Sequence, residues 1–279
     1  MGEIIRIVRY QLTQLARNPR LYMIVILNSI FSAMFLLPIR KLLESYHTLA
    51  TPWAFIFLFS QASVIFCFMG GIIILFSDAP FFNRTQMFLV IRVGKRKWLT
   101  GQLIYMLIAG MLYYVLLYGI SLVFLLPFIT LKNEWGSIWN SLARSDIGLN
   151  YGIYLVVPTE ILNCFTPRQA FRWLICMGTL NSFLIGLVML CSNLFFKKEI
   201  GICIGIIMIL LPYRLEFMPI AIHYIATVAW INPQYRIENY LYRGPGMWEQ
   251  LGIVTGMIML LTVLCFAGIQ RRDIPEVLK

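Results

Sequence analysis

Long uncharged apolar runs alternate with short polar, mostly basic stretches along nearly the whole chain. A helix needs roughly 20 apolar residues to cross about 30 Å of hydrocarbon. Runs of that kind predict spans at about 21–38, 53–76, 101–127, 171–196 and 251–269. The only charged residue in these five is Arg172, at one end of the fourth, where a long side chain can snorkel to water. The pattern breaks between the fourth and last of these runs. Residues 200–211 are wholly apolar, Pro212, Arg214, Glu216 and Pro219 follow, and a second apolar run covers 220–231. One reading is a short span at about 200–213 followed by a helix dipping back into the outer leaflet. The other is two full spans, seven in all.

The distribution of Lys and Arg separates the two. With six spans and both termini on the same side, the inner segments 1–20, 77–100, 197–199 and 270–279 hold 14 of the 23 Lys and Arg residues, although they are the shorter share of the loops. That is the positive-inside bias. A seventh span would put Arg271, Arg272 and Lys279 outside. The expectation is therefore an all-α integral membrane protein with six transmembrane helices, an N-terminal amphipathic interfacial helix (1–20) and a re-entrant outer segment between spans 5 and 6. Residues 21–279 then form a single transmembrane domain, with spans 2 and 5 at about 53–76 and 200–213.

Composition sharpens this picture. Of 279 residues, 60% are hydrophobic and 13% charged, and the mean hydropathy is +0.79. Soluble domains run at about 45–50% apolar and about 25% charged, so a soluble enzyme, a nucleic-acid-binding domain and a disordered chain are excluded as classes. The net charge of +11 fits basic loops held at an anionic membrane face, and no nucleic-acid partner is expected. Five of the six cysteines lie in apolar stretches and read as small packing residues, and Cys164 stands alone in an outer loop. The 20 polar, basic residues before the first apolar run do not read as a cleaved signal peptide.

Two inner segments carry pattern beyond topology. In the first, Ile4, Ile5, Val8, Leu12 and Leu15 fall within one arc, and Arg6, Arg9, Arg17 and Arg20 cluster opposite. Such a helix is expected to lie in the headgroup plane with its arginines toward phosphate. In the second, Ser77 or Asp78 can cap a short helix with Pro80 in its first turn. Phe81, Phe82, Phe88 and Leu89 are too apolar for a solvated loop and call for burial against lipid or a partner. The basic run from Arg92 to Lys97, closed by Trp98, anchors the start of span 3, either as a topology signal alone or as a specific contact.

The outer segments 128–170 and 214–248 are long and carry Trp135, Trp139, Tyr151 and Tyr154, residues suited to a membrane interface. Within the spans, Gly178, Ser182 and Gly186 share one helical face, as do Gly201 and Gly205, and Gly252 and Gly256, a spacing that permits close helix contact. Asn28, Ser29, Ser32, Gln61, Ser63, Thr179 and Asn181 also enter the spans. They either line a path or hydrogen-bond helix to helix.

Several chemistries are missing. The chain has no G-x-x-x-x-G-K-[ST], no H-E-x-x-H and no G-x-S-x-G. The two histidines, His47 and His223, lie in different outer segments. An intramembrane enzyme would need Glu160, Arg214, Glu216 and His223 to converge. The spans carry no midplane carboxylate of the kind a proton-coupled carrier uses.

Six spans, an interfacial N-terminal helix, a cytoplasmic helix between spans 2 and 3 and a re-entrant segment resemble the membrane subunits of ABC-2-type (type V) ABC transporters. The run Arg92-Val93-Gly94-Lys95-Arg96-Lys97-Trp98-Leu99-Thr100-Gly101-Gln102 is similar to the basic, Gly- and Trp-containing approach to span 3 in bacterial members, and Gln270-Arg271-Arg272-Asp273-Ile274 is similar to their ends. The resemblance implies a permease subunit of an ATP-driven exporter in the bacterial cytoplasmic membrane, with cytoplasmic termini. It implies pairing with a second permease subunit, as homodimer or heterodimer, and contact with a separate ABC ATP-binding subunit that holds ATP and Mg. This chain itself would carry no cofactor, metal or catalytic residue. ATPase docking falls on Asp78, Pro80, Phe81, Phe82 and Arg84, with Arg6, Arg9 and Arg17 nearby. The translocation path, between two subunits along spans 2 and 5, takes Gln61, Ser63, Phe66 and Met69. The outer segment 128–170 is longer than the family pattern. A peptide or other amphipathic cargo, an antimicrobial peptide first, fits the absence of midplane charge. The competing reading is a non-transporting membrane anchor or assembly subunit.

Overall fold

The computed structural model describes residues 2–79, 81, 84–196, 198–237 and 244–271; the side chains of 84–87, 198, 214, 216 and 271 fall outside it. The described part is all-α. Its helices are α1 (Gly2–Ala16), α2 (Pro19–Ser45), α3 (Ala54–Leu58), α4 (Ala62–Phe76), α5 (Arg84–Val93), α6 (Lys95–Leu125), α7 (Gly136–Arg144), α8 (Ile147–Asn150), α9 (Thr159–Cys164), α10 (Pro167–Phe195), α11 (Lys198–Leu210), α12 (Ile220–His223) and α13 (Met247–Arg271). Short 3-10 turns cover Leu211–Phe217, Thr227–Ile231 and Pro233–Arg236.

Among the described residues, four helices are long and apolar enough to cross a membrane: α2, α6, α10 and α13. At 1.5 Å per residue each exceeds the roughly 30 Å of a hydrocarbon core. A multi-pass membrane protein follows from them. The sequence segments expected as spans 2 and 5 form shorter apolar helices instead. The run 53–76 is broken, because Phe59 and Ser60 turn and Gln61 is extended, so that α3 and α4 are separate. Gln61 is held there by its own amide, whose Nε2 donates to Tyr154 O at 3.0 Å. α11 tightens into the 3-10 turn at Leu211, just before Pro212.

Boundaries of the long helices also move. α2 does not stop at Pro38 but continues to Ser45, because Ile39, Leu42 and Leu43 are fully buried on one face of the extension. Asn18 opens it by accepting the Arg20 N–H, with Pro19 at the first position. α10 starts at Pro167, where the Gln169 side chain accepts the Thr166 N–H at 3.1 Å.

α10 is the centre of the bundle. Its apolar window is 72% buried, against 28%, 33% and 22% for α2, α6 and α13, and it packs on α4, α6, α11 and α13. Small residues set those distances. Ser182 lies against Gly110 of α6, Gly186 against Phe76 and Met106, Gly201 against Met189 and Ser192, and Gly205 between Met189 and Ile73. Gly178 lies against the Tyr114 ring, where any Cβ would overlap it. All five expected packing residues thus meet neighbours within this chain. Gly252 and Gly256 of α13 have open space above them.

The two ends of the bundle differ. One is closed by an aromatic cap built from α3, α7, α8 and α9. Phe57 of α3 sits between Trp135 (5.3 Å) and Trp139 (5.1 Å). Trp139 Nε1 donates to Thr51 Oγ1 at 3.0 Å, and Thr51 Oγ1 donates to Trp135 O at 2.9 Å. Ala50 and Thr130 join the neighbouring loops through backbone bonds to Phe128 O and from Thr130 N–H to Ala50 O. At the opposite, basic end, α1 packs on the first turns of α6. Lys97 Nζ donates to Glu3 Oε2 at 2.8 Å, and Ile7 lies on Gly101, so the two helices run side by side in the same direction. The face α1 buries is Ile7, Val8 and Gln11, and Ile5 is left 64% exposed. The buried face is thus rotated from the predicted arc: Ile7 and Gln11 lie outside it, Val8 alone of its five residues is buried, and Ile4, Leu12 and Leu15 are half-buried.

Candidate functional site

The basic end presents the more open surface. Gly94 takes φ +90°, a backbone setting that suits glycine, and turns α5 back on α6. Val90 is buried in that hairpin, and so is Trp98, which therefore serves as core rather than as an interfacial anchor. The opposite side of α5 leaves Phe88 74% and Ile91 68% exposed, with Arg92 and Arg96 exposed beside them. Arg6, Arg9 and Arg17 are exposed on α1. Two large apolar side chains thus stand among guanidinium groups at one end of the molecule.

The loop leading into α5 is tied inward. Arg20 Nη1 pairs with Asp78 and also donates to Ser77 Oγ at 3.1 Å. Asn193 Nδ2 donates to Ala79 O. Phe81, at φ +57°, turns its ring onto Tyr105, edge-on at 5.3 Å. Of the expected docking residues, Asp78 and Phe81 therefore spend their side chains on this chain's own α2 and α6. Pro80, Phe82 and the side chain of Arg84 lie outside the described residues. Phe88 was legible as an apolar residue out of place in a loop. Ile91 was not, and its signal was the three-residue spacing from Phe88 that places both on one helical face.

The expected path residues divide. On α4, Ser63 and Phe66 are exposed, and Gly70, one turn further, has nothing within 4 Å above it. These three make an outward strip between the flanking α2 and α11. Met69 is turned the other way, fully buried, with Tyr114 OH donating to its Sδ at 3.1 Å. Gln61 lies at the head of α4, engaged with Tyr154. Asn28, for which path and helix-contact roles were both open, bridges helices: its Nδ2 donates to Tyr113 OH at 2.7 Å, and Tyr113 OH donates to Phe68 O at 2.6 Å. Asn181 Nδ2 bonds locally to Met177 O at 2.9 Å.

A cleft of about 160 Å³ opens at the capped end, beside the head of α4. Ser60, Ala62, Ile65, Leu215, Asn232 and Gln234 line it. Asn232 is only 2% exposed, and its Oδ1 accepts the Gln234 N–H at 3.0 Å. Behind the cleft, Arg236 is stacked between Phe165 (4.7 Å) and Trp173 (4.4 Å).

Of the four residues an intramembrane enzyme would need to converge, His223 is buried in α12 and Glu160 is half-buried on α9; the side chains of Arg214 and Glu216 lie outside the described residues. Among the described residues, no group of three or more His, Cys, Asp or Glu side chains is placed to hold a metal ion. All six cysteines are free of disulfides. Comparison with known protein families, with characterised proteins and with solved structures finds no match to this chain.

Proposed function

We propose that this chain is the membrane-spanning permease subunit of an ATP-driven ABC-2-type exporter, coupled to a separate ATP-binding subunit. The observation that carries the reading is the exposed pair Phe88 and Ile91 on α5, set among Arg92, Arg96 and the arginine face of α1. Apolar side chains at that exposure call for a cover, and a surface mixing them with arginine is the composition of protein interfaces. The chain lacks a phosphate-cradling loop of the G-x-x-x-x-G-K-[ST] kind, so the engine belongs to the partner. In this reading α4 and α11 are spans 2 and 5, the residues from the Leu211–Phe217 turn to Arg236 form the re-entrant segment, and the basic end faces the bacterial cytoplasm. The strip of Ser63, Phe66 and Gly70 supports a second permease subunit at α4 and α11, with the path between the two. The cargo is a peptide or another amphiphile.

Co-purification tests the reading. The chain is expected to draw an ATP-binding protein from its native membrane, and Phe88→Asp with Ile91→Asp is expected to release it. Transport that persists without any ATP-binding partner overturns the proposal. The exposed Leu131, Leu149, Tyr154 and Val156 at the capped end favour a second reading, an anchor or assembly subunit that binds its partner there. An anchor gives no ATP-dependent flux on reconstitution.

A further inference from the structure

The head of α4 combines two features that its packing role does not use. First, its N-cap, Gln61, makes no side-chain cap hydrogen bond; its amide Nε2 donates to Tyr154 O instead. The first-turn N–H groups of Ala62 and Ser63 therefore have no capping acceptor, and a helix start of this kind carries partial positive charge. Second, Asn232 is nine-tenths buried against the same cleft, and its Oδ1 is committed to the Gln234 N–H. That leaves Nδ2 as a donor with no partner among the described residues. Donors from two separate segments thus converge on one space at a helix start, the geometry that receives an oxyanion. Ile65 and Leu215 make an apolar wall beside it.

We infer that this cleft binds the oxyanion head of an amphiphile, with backbone N–H groups of α4 and Asn232 Nδ2 as donors and the apolar wall receiving the adjoining chain. As a resting place for cargo at the end far from the ATPase, the site rests on the exporter reading; as a binding site it does not.

Two variants remove one donor each with little change of shape. Ala62→Pro deletes an N–H at the first helical position, where proline is tolerated, and Gln61 already has the extended ψ of 120° that a residue before proline requires. Asn232→Asp keeps the Oδ1 bond to Gln234 and replaces the donor with a second carboxylate oxygen. The measurement is equilibrium binding of labelled dodecyl phosphate to the purified full chain in dodecyl maltoside, with no ATPase present. The expected result is saturable binding at one site per chain, weakened by each variant about tenfold or more, the worth of one hydrogen bond to a charged group, with thermal unfolding of the Ala62→Pro chain unchanged. Inorganic phosphate should compete far more weakly, and dodecyltrimethylammonium not at all. Wild-type affinity in both variants, equal competition by inorganic phosphate, or equal competition by the cationic amphiphile each overturns the inference. Binding that stands while ATP-driven transport proves absent counts against the exporter reading alone.

Discussion

The capped end and the basic end of this molecule solve opposite problems with the same residue types. At the capped end aromatic side chains face one another. Phe57 fills the space between two tryptophans, and Trp139 is fully buried with its indole N–H satisfied. At the basic end two apolar side chains of α5 face outward beside arginines. The first arrangement is complete within one chain. The second is complete only with something laid over it. The difference teaches that an aromatic residue in a loop signals burial without saying whose surface provides it.

Substitutions should therefore cost stability at one end and association at the other. Trp139→Ala removes a buried indole from the cap and leaves Thr51 without one of its contacts, so we expect about 3–5 kcal/mol of lost stability, read as thermal unfolding of the detergent-solubilised chain. A shift of less than a degree would mean the cap is not a packed unit. Phe81→Asp tests the boundary between the two regimes. Its ring sits on Tyr105, so a carboxylate there should cost about 1–3 kcal/mol and lower the melting temperature even with no partner present. If F81D melts like the wild type and only partner binding suffers, Phe81 belongs with the open surface after all.

Phe88→Asp and Ile91→Asp should leave unfolding within about 0.5 kcal/mol of the wild type while, on the proposed exporter reading, abolishing recovery of an ATP-binding partner. Marked destabilisation by either would place that face against this chain or its lipid instead. The smallest effect concerns Glu3, whose carboxyl is held below its usual range by the hydrogen bond and charge of Lys97. The pairing is present above the ordinary carboxylate range and lost as pH falls through the lowered value, so the wild type should lose slightly more stability on acidification than Glu3→Gln. Both groups are exposed, and salt should erase the difference. Identical acid sensitivity at low ionic strength would show that the pair contributes nothing.

The apolar runs made the long helices legible, because burying 20 or more residues in hydrocarbon leaves a pattern that tertiary contacts cannot blur. Their ends were not. Pro38 reads as a stop, yet the buried face at Ile39, Leu42 and Leu43 outweighs the lost N–H and carries α2 on. Gln61 looked like a polar residue inside a span, and the structure makes it part of the break between α3 and α4, fixed by Tyr154 from a segment 93 residues away. Nothing local announces that bond. The same applies to α1. Its arginines were placed on the exposed side from periodicity, while the choice of Ile7 and Gln11 over Ile5 for burial depends on Gly101 of α6 leaving room. Met69 shows the limit for the candidate path: spacing places residues on faces, but only the Tyr114 hydroxyl reveals that its face points inward.

The contact of Gly178 with the Tyr114 ring, one turn from that of Ser182 with Gly110, has a mechanical corollary. With no slack at either point, sliding α6 along α10 by even one residue drives a side chain into a ring. The pair works as a keel: rigid, and unable to be the part that moves. Any displacement inside the bundle falls instead to the outlying ribs, α2 and α13, whose apolar windows are only 28% and 22% buried.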